Sequence, residues 1–111
     1  MNIRLSDSLI RIRLDPSDLL ALQAHRTLEL FMNLPGCTFS ALLQAAPSFA
    51  DDTLDVERTP EGLIFRIGKI ALQSLASDTS RGVERDLIDP RIGLKPTRLL
   101  IEMDRHTLRK G

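Results

Sequence analysis

Charged residues on alternate positions of apolar runs are the strongest candidates for chemistry in this sequence. Arg11 and Arg13 share one parity of the run at 9–14, and Glu102 lies in the apolar run at 99–103. Residues two apart on a strand point to the same face of a sheet. Arginine forks match phosphate oxygens and carboxylates hold Mg²⁺, so such side chains could bind a phosphorylated ligand. The candidate ligand-binding residues are Arg4, Arg11, Arg13, Glu57, Arg66, Glu102 and Asp104.

Two arrangements of the sheet would use these residues differently. In an open sheet they lie on a solvated face, where cross-strand ion pairs contribute roughly a few tenths of a kcal/mol each. In a closed barrel they would meet in a charged interior, which could bind or hydrolyse a phosphorylated compound with Mg²⁺. Half-buried antiparallel sheets normally show this alternation, so the pattern favours the solvated face.

Other reactive residue types give little support for catalysis. His25 and His106 have no second His or Cys at metal-ligand spacing. Cys37 follows a Pro-Gly turn and is predicted to be a small buried hydrophobe, not a nucleophile. The sequence contains no Gly-rich phosphate loop. We therefore assign no catalytic residue, no metal ligand and no cofactor.

Composition predicts one soluble domain over residues 1–111. The chain has 15 Lys and Arg against 15 Asp and Glu, so it lacks the positive field of nucleic-acid-binding proteins. No apolar run reaches the length of a membrane helix, and no secretory signal is visible, so we expect no membrane partner. A single cysteine fits a reducing cytoplasm. The basic segment 105–111 is predicted to be a frayed tail.

Hydrophobic periodicity and turn residues predict an α+β fold with a mostly antiparallel sheet of about eight strands and two short helices. Asp15 and Pro16 predict the start of the first helix, since they suit the cap and the first helical position. Leu19, Leu22 and Leu20 are the candidates for its apolar stripe. The predicted strands are 2–5, 9–14, 27–32, 38–45, 54–57, 63–67, 83–88 and 98–104, the predicted helices are 16–24 and 70–76, and 89–97 is predicted to be a loop.

The predicted elements occur in the order hairpin, helix, two strands, and then again hairpin, helix, two strands. Residues 9–24 and 62–76 both show an apolar strand that runs into a helix rich in Leu and Ala. The similarity is too short to demonstrate a duplication. If the repeat is real, it predicts a pseudo-symmetric domain whose sheet is open or closed into a barrel.

Both ends of the chain resemble an uncharacterised family of short bacterial proteins, a domain of unknown function. The opening MNIRLSDSLIRIRLDPSDLLAL is similar to that family's basic strand, turn, Arg-Leu-Arg-Leu-like strand and helix opened by Ser. The closing LLIEMDRHTL resembles its apolar run into Glu-Lys-Asp-Phe, with Met103 and Arg105 in place of Lys and Phe. The segment IALQSLASDTSRGVERDL fits between these two ends. The resemblance implies a bacterial cytoplasmic α+β protein and transfers no reaction and no site residues.

Taken together, these patterns favour a small binding or interaction module over an enzyme. We expect it to be monomeric or to form a homo-oligomer through an exposed strand edge. The alternative is a barrel with an interior lined by Arg and Glu that binds a phosphate ligand or acts as an Mg-dependent phosphohydrolase.

Overall fold

The computed structural model describes residues 1–77, 82–87 and 96–104, and this part of the chain forms eight β-strands and two α-helices. The predicted α+β class and the predicted number of each element are confirmed. The elements are β1 Asn2–Leu5, β2 Leu9–Leu14, α1 Pro16–His25, β3 Thr27–Leu34, β4 Cys37–Ala45, β5 Leu54–Thr59, β6 Gly62–Ile67, α2 Lys69–Ala76, β7 Val83–Leu87 and β8 Thr97–Met103.

Helix α1 begins where the sequence predicts and ends one residue later. The Asp15 side chain accepts a hydrogen bond from the Asp18 N–H at 2.7 Å, and the Asp18 side chain accepts one from the Asp15 N–H at 3.1 Å. This reciprocal pair satisfies two N–H groups at the helix start, and Pro16 occupies a position that needs no donor. Arg26 caps the other end with φ 67°, and its N–H donates to the Leu22 carbonyl oxygen. This left-handed cap reverses the chain into β3.

Two hairpin turns follow the predicted turn residues. Pro35 and Gly36, with φ 84° at Gly36, connect β3 to β4 as expected for Pro and Gly at the second and third positions of a type II turn. Pro60 and Glu61 connect β5 to β6, which makes both strands longer than predicted. The predicted loop 89–97 was wrong at Thr97, because this residue begins β8. Residues 89–95 of that loop and the predicted tail 105–111 lie outside the described residues.

The strands form two four-stranded sheets. The first sheet has the order β1-β2-β8-β7 and the second has the order β3-β4-β6-β5. Among the described strands, four of the six pairings are antiparallel, which confirms a mostly antiparallel fold. The two central pairings, β2 with β8 and β4 with β6, are parallel. Each sheet therefore joins one hairpin from each half of the chain.

Exchange of the two halves maps one sheet onto the other. Exchanging β1 with β5, β2 with β6, β3 with β7 and β4 with β8 converts the first strand order into β5-β6-β4-β3, which is the second order written in reverse. The helices correspond as well, because Leu22 of α1 and Leu75 of α2 occupy equivalent positions and are both fully buried. The strand pairing thus has the two-fold pattern that the predicted repeat unit implies.

Both sheets and both helices contribute to one apolar core. Within the described residues, no polar or charged side chain is buried. Both sheets are open, so the open-sheet arrangement is the one observed, and the interior is apolar rather than lined by Arg and Glu. Arg58 and Arg85 share the parity of core residues on their strands, but both are exposed. The core residues are Ile12, Leu14, Leu22, Ala41, Leu43, Ala45, Leu54, Phe65, Ile67, Ala71, Leu72, Leu75, Leu99 and Ile101.

The apolar stripe of α1 is narrower than the sequence suggests. Leu22 is fully buried and Leu19 packs against the core, but Leu20 is 67% exposed. The prediction that included Leu20 was therefore wrong, since this side chain lies on the solvent side of the helix. Neither of the two described helices is long and apolar enough to cross a membrane.

Candidate functional site

The arginines of β2 and the glutamate of β8 form one cluster on the outer face of the first sheet. The Nε atoms of Arg11 and Arg13 both donate to Oε1 of Glu102, at 2.7 and 2.9 Å. The parallel pairing of β2 with β8 sets this geometry, because Arg13 and Glu102 are direct neighbours in the register. The Glu102 side chain is 17% exposed, and the two arginines are each about one third exposed. We call Arg11, Arg13 and Glu102 the Glu102 cluster.

The electrostatics of this cluster favour an ionised carboxylate. Burial raises the pKa of Glu102, but the hydrogen bonds and charges of Arg13 and Arg11 outweigh it and hold the pKa below its ordinary value of 4.5. A general acid at neutral pH needs a shift in the opposite direction. Both arginines already contact a carboxylate oxygen, so the cluster is better suited to joining β2 and β8 than to proton transfer.

The Glu102 cluster should make stability depend on pH in the acid range. A carboxyl group with a lowered folded-state pKa stabilises the fold above its unfolded pKa and loses this contribution as pH falls through the folded pKa. We therefore expect Glu102→Gln to lower the free energy of unfolding by about 1–2 kcal/mol at neutral pH. The difference from the wild type should shrink below the ordinary pKa of 4.5. Urea denaturation at neutral pH and in acid would measure it.

Glu57→Gln is the matched control for this measurement. Glu57 also pairs with an arginine, but its side chain is 53% exposed, and exposed pairs contribute little. The pKa of Asp15 is lowered too, mainly because the Asp18 N–H donates to its carboxylate. Its effect on stability is the same in the wild type and in both glutamine variants, so it cancels in the comparison. Equal behaviour of the two glutamine variants would contradict the stabilising role of Glu102.

A second group of predicted site residues lies on the other sheet. Arg66 of β6 contacts Glu57 at 3.2 Å and Asp55 at 3.6 Å, both on β5. These residues project from the outer face of the second sheet, whereas Glu102 projects from the outer face of the first. The structure therefore divides the predicted set between two faces and does not bring it together as one site.

The last two predicted site residues extend the first sheet. Arg4 lies opposite Arg11 in the β1–β2 register, is exposed, and has no ion-pair partner among the residues the structure describes. Asp104 follows the end of β8, and its N–H donates to the Leu14 carbonyl oxygen at 2.7 Å, which continues the ladder between β2 and β8. Within residues 1–77, 82–87 and 96–104, no cluster of His, Cys, Asp and Glu is placed to hold a metal ion.

A groove between the two helices has a mixed lining. It encloses about 620 Å³ between the end of α1 and the face of α2 that runs from Lys69 to Ala76. Arg26, Lys69 and Asp51 contribute charges of both signs, and Ala45 and Leu72 contribute apolar surface. This lining does not select one chemical class of ligand.

Exposed apolar side chains along β3 are a further surface feature, which the pattern of charged residues does not indicate. Phe31 is 62% exposed, Met32 50% and Leu34 46%. These three residues lie on both faces of one strand at the edge of the second sheet. The signal was present in the sequence, since TLELFMNL carries apolar residues on both parities and a single charge. We call residues 27–34 the β3 edge.

An apolar crevice opens beside the β3 edge, between this strand and β1. Its volume is about 70 Å³, which leaves room for only part of one side chain. Leu5 lines it and is 61% exposed, so apolar surface continues from the crevice onto the edge of the first sheet. The lining consists of Ile3, Leu5, Leu30, Met32, Phe39, Ala41 and Leu63.

The four edge strands differ in how they are protected against pairing with another chain. Natural edges are shortened or carry charges, proline or bulges. β1 has only four residues and carries Arg4, while β5 and β7 each carry three charged residues. The β3 edge has eight residues with Glu29 as its one charge. It is therefore the least protected edge in the part of the chain that the structure describes.

The backbone of the β3 edge presents free hydrogen-bonding groups in a known pattern. The N–H of Ala45 donates to the carbonyl oxygen of Arg26 at 2.8 Å, which shows that even-numbered residues here bond toward β4. Antiparallel ladders alternate, so the N–H and C=O groups of Thr27, Glu29, Phe31 and Asn33 point to the open side. These groups form a template for an added strand.

Comparisons with other proteins add no constraint to this geometry. The chain matches no known protein family, no curated protein and no solved structure. The resemblance to an uncharacterised bacterial family stays a prediction.

Proposed function

We propose that this protein is a non-enzymatic interaction module that binds an extended polypeptide at the β3 edge. The observation that carries the proposal is the contrast between this long, nearly uncharged edge and the three protected ones. Strand addition of this kind gains affinity from main-chain hydrogen bonds and specificity from pockets for alternate side chains.

The β3 edge has both parts of such a binding site. Its odd-numbered residues direct N–H and C=O groups outward, and the crevice beside Leu30 and Met32 can accept part of an apolar side chain from the added strand. The partner that fits is a segment with alternating apolar residues and without proline at the bonding positions. Phosphate binding is the weaker alternative, because Arg11 and Arg13 already contact Glu102.

The proposed setting is the reducing cytoplasm of a bacterium. A chain with a single cysteine can form no internal disulfide, and this suits such a compartment.

An array of octapeptides with alternating apolar and polar residues would test the proposal. We expect the wild-type protein to bind members of the array, and Met32→Lys to bind them at least about tenfold more weakly, because the lysine introduces the charge that protected edges carry. Peptides with proline at alternate positions are the matched control and should not bind, since proline donates no hydrogen bond. Absence of binding, or equal binding by Met32→Lys, would overturn the proposal.

A further inference from the structure

We infer that the polypeptide bound at the β3 edge is the β3 strand of a second copy of this chain, paired antiparallel about a two-fold axis at Phe31. This inference rests on the proposed function, since it names the partner of the same edge. The resulting dimer would join two four-stranded sheets into one continuous sheet of both copies.

Backbone geometry restricts the registers available to such a pair. Only odd-numbered residues of the β3 edge direct N–H and C=O groups outward, so an odd-numbered residue must face an odd-numbered one of the other copy. Pairing about Phe31 satisfies this rule and opposes residues 28–34 of one copy to residues 34–28 of the other. An axis at Leu30 also satisfies the rule and pairs as many residues, 27–33, whereas an axis at Met32 pairs only 30–34, so side chains must decide between Leu30 and Phe31.

Side-chain chemistry favours the axis at Phe31. Phe31 then faces its own copy on the outer face, and aromatic pairs directly opposite each other stabilise a sheet. On the inner face, Leu28 faces Leu34 and Leu30 faces Met32, so the half-exposed Met32 and Leu34 gain apolar neighbours. Every inward-facing pair in this register is apolar.

Charge is compatible with the same register. Glu29, the single charge of the strand, faces Asn33 of the other copy, and the two Glu29 side chains lie about 13 Å apart along the strand. An axis at Glu29 would instead oppose the two carboxylates, which is destabilising. The β3 edge can therefore pair with a second copy without opposing like charges.

Sedimentation equilibrium of the full chain would test the dimer. We expect the wild type to dimerise at micromolar to submillimolar concentration, and Phe31→Lys to raise the dissociation constant at least about tenfold by opposing two lysines at the axis. Leu20→Lys is the matched control, since Leu20 is 67% exposed on α1, and it should dimerise as the wild type does. Circular dichroism would confirm that each variant is folded. A dimer that survives Phe31→Lys unchanged would overturn the inference.

The Glu29–Asn33 pairs give a test specific to the register. Asn33→Glu should raise the dissociation constant about fivefold, because it opposes two carboxylates in each of two symmetric pairs. Adding Glu29→Lys to Asn33→Glu should restore the dimer, because each pair then joins opposite charges. Absence of this rescue would overturn the register at Phe31.

The inference and the proposed function can fail separately. A wild-type protein that stays monomeric at submillimolar concentration would overturn the second copy as the partner. If the same protein still binds the octapeptide array and loses binding through Met32→Lys, the proposed function stands with a different partner. A wild-type protein that neither dimerises nor binds the octapeptides would overturn both the inference and the proposed function.

Discussion

Replacing Gly62 by alanine is expected to lower the free energy of unfolding by about 3 kcal/mol or more. Gly62 begins β6 with φ 152°, a backbone conformation that L side chains rarely adopt. A Cβ atom there would overlap the carbonyl group of Ser40, its register partner on β4. Relief would require β4 and β6 to separate, and this parallel pair joins the two halves of the chain in the second sheet. Urea denaturation followed by circular dichroism would measure the loss.

Gly36→Ala separates backbone strain from the steric conflict. Gly36 also has a positive φ of 84°, but a Cβ there meets no atom within 4 Å. This variant should therefore cost only the strain of the left-handed conformation, about 1–2 kcal/mol. If Gly62→Ala costs no more than Gly36→Ala, the close approach of β4 and β6 at Ser40 does not constrain the fold.

Local elements were predictable because each carries its own signal. Asp15 and Pro16 mark a helix start by satisfying or omitting N–H groups that have no partner. Pro35 and Gly36 mark a turn by fixing one φ angle and permitting a positive one. These signals depend on a few neighbouring residues, so a single sequence suffices to interpret them.

Strand pairing was not predictable in the same way. Alternation in β2 shows which side chains share a face, but it does not show that β8, some ninety residues later, lies parallel beside it. Parallel pairing joins strands that are distant in the chain and has no turn of its own. The two-fold strand order therefore became visible only in the sheets, although the repeat of hairpin and helix had suggested it.

The candidate site shows the same division between local and distant information. Parity predicted that Arg11 and Arg13 share a face, but the partner that neutralises them depends on which strand lies next to β2. The pattern of charged residues also gives no indication of the β3 edge, because the signal of this edge is a shortage of charge on a long strand. Exposure depends on strand order, so Phe31 could be assigned to an edge only after the sheet was known.

The shared core makes Leu22→Ala the second substitution with a large expected effect. Leu22 is fully buried in the cluster that both sheets and both helices form. Its truncation should cost about 2–5 kcal/mol, the range for a buried leucine that leaves a cavity.

Leu20→Ala makes the same chemical change two residues away on α1, where the side chain is 67% exposed, and it should stay within about 0.5 kcal/mol of the wild type. Denaturant titration of Leu22→Ala should show one transition moved to lower denaturant, because each sheet contains strands from both halves and the halves share one core. Two separate transitions would mean that the halves unfold independently. This would contradict a fold in which each sheet contains one hairpin from each half of the chain. Equal losses for the two variants would mean that α1 packs through a wider face than Leu22 and Leu19 provide.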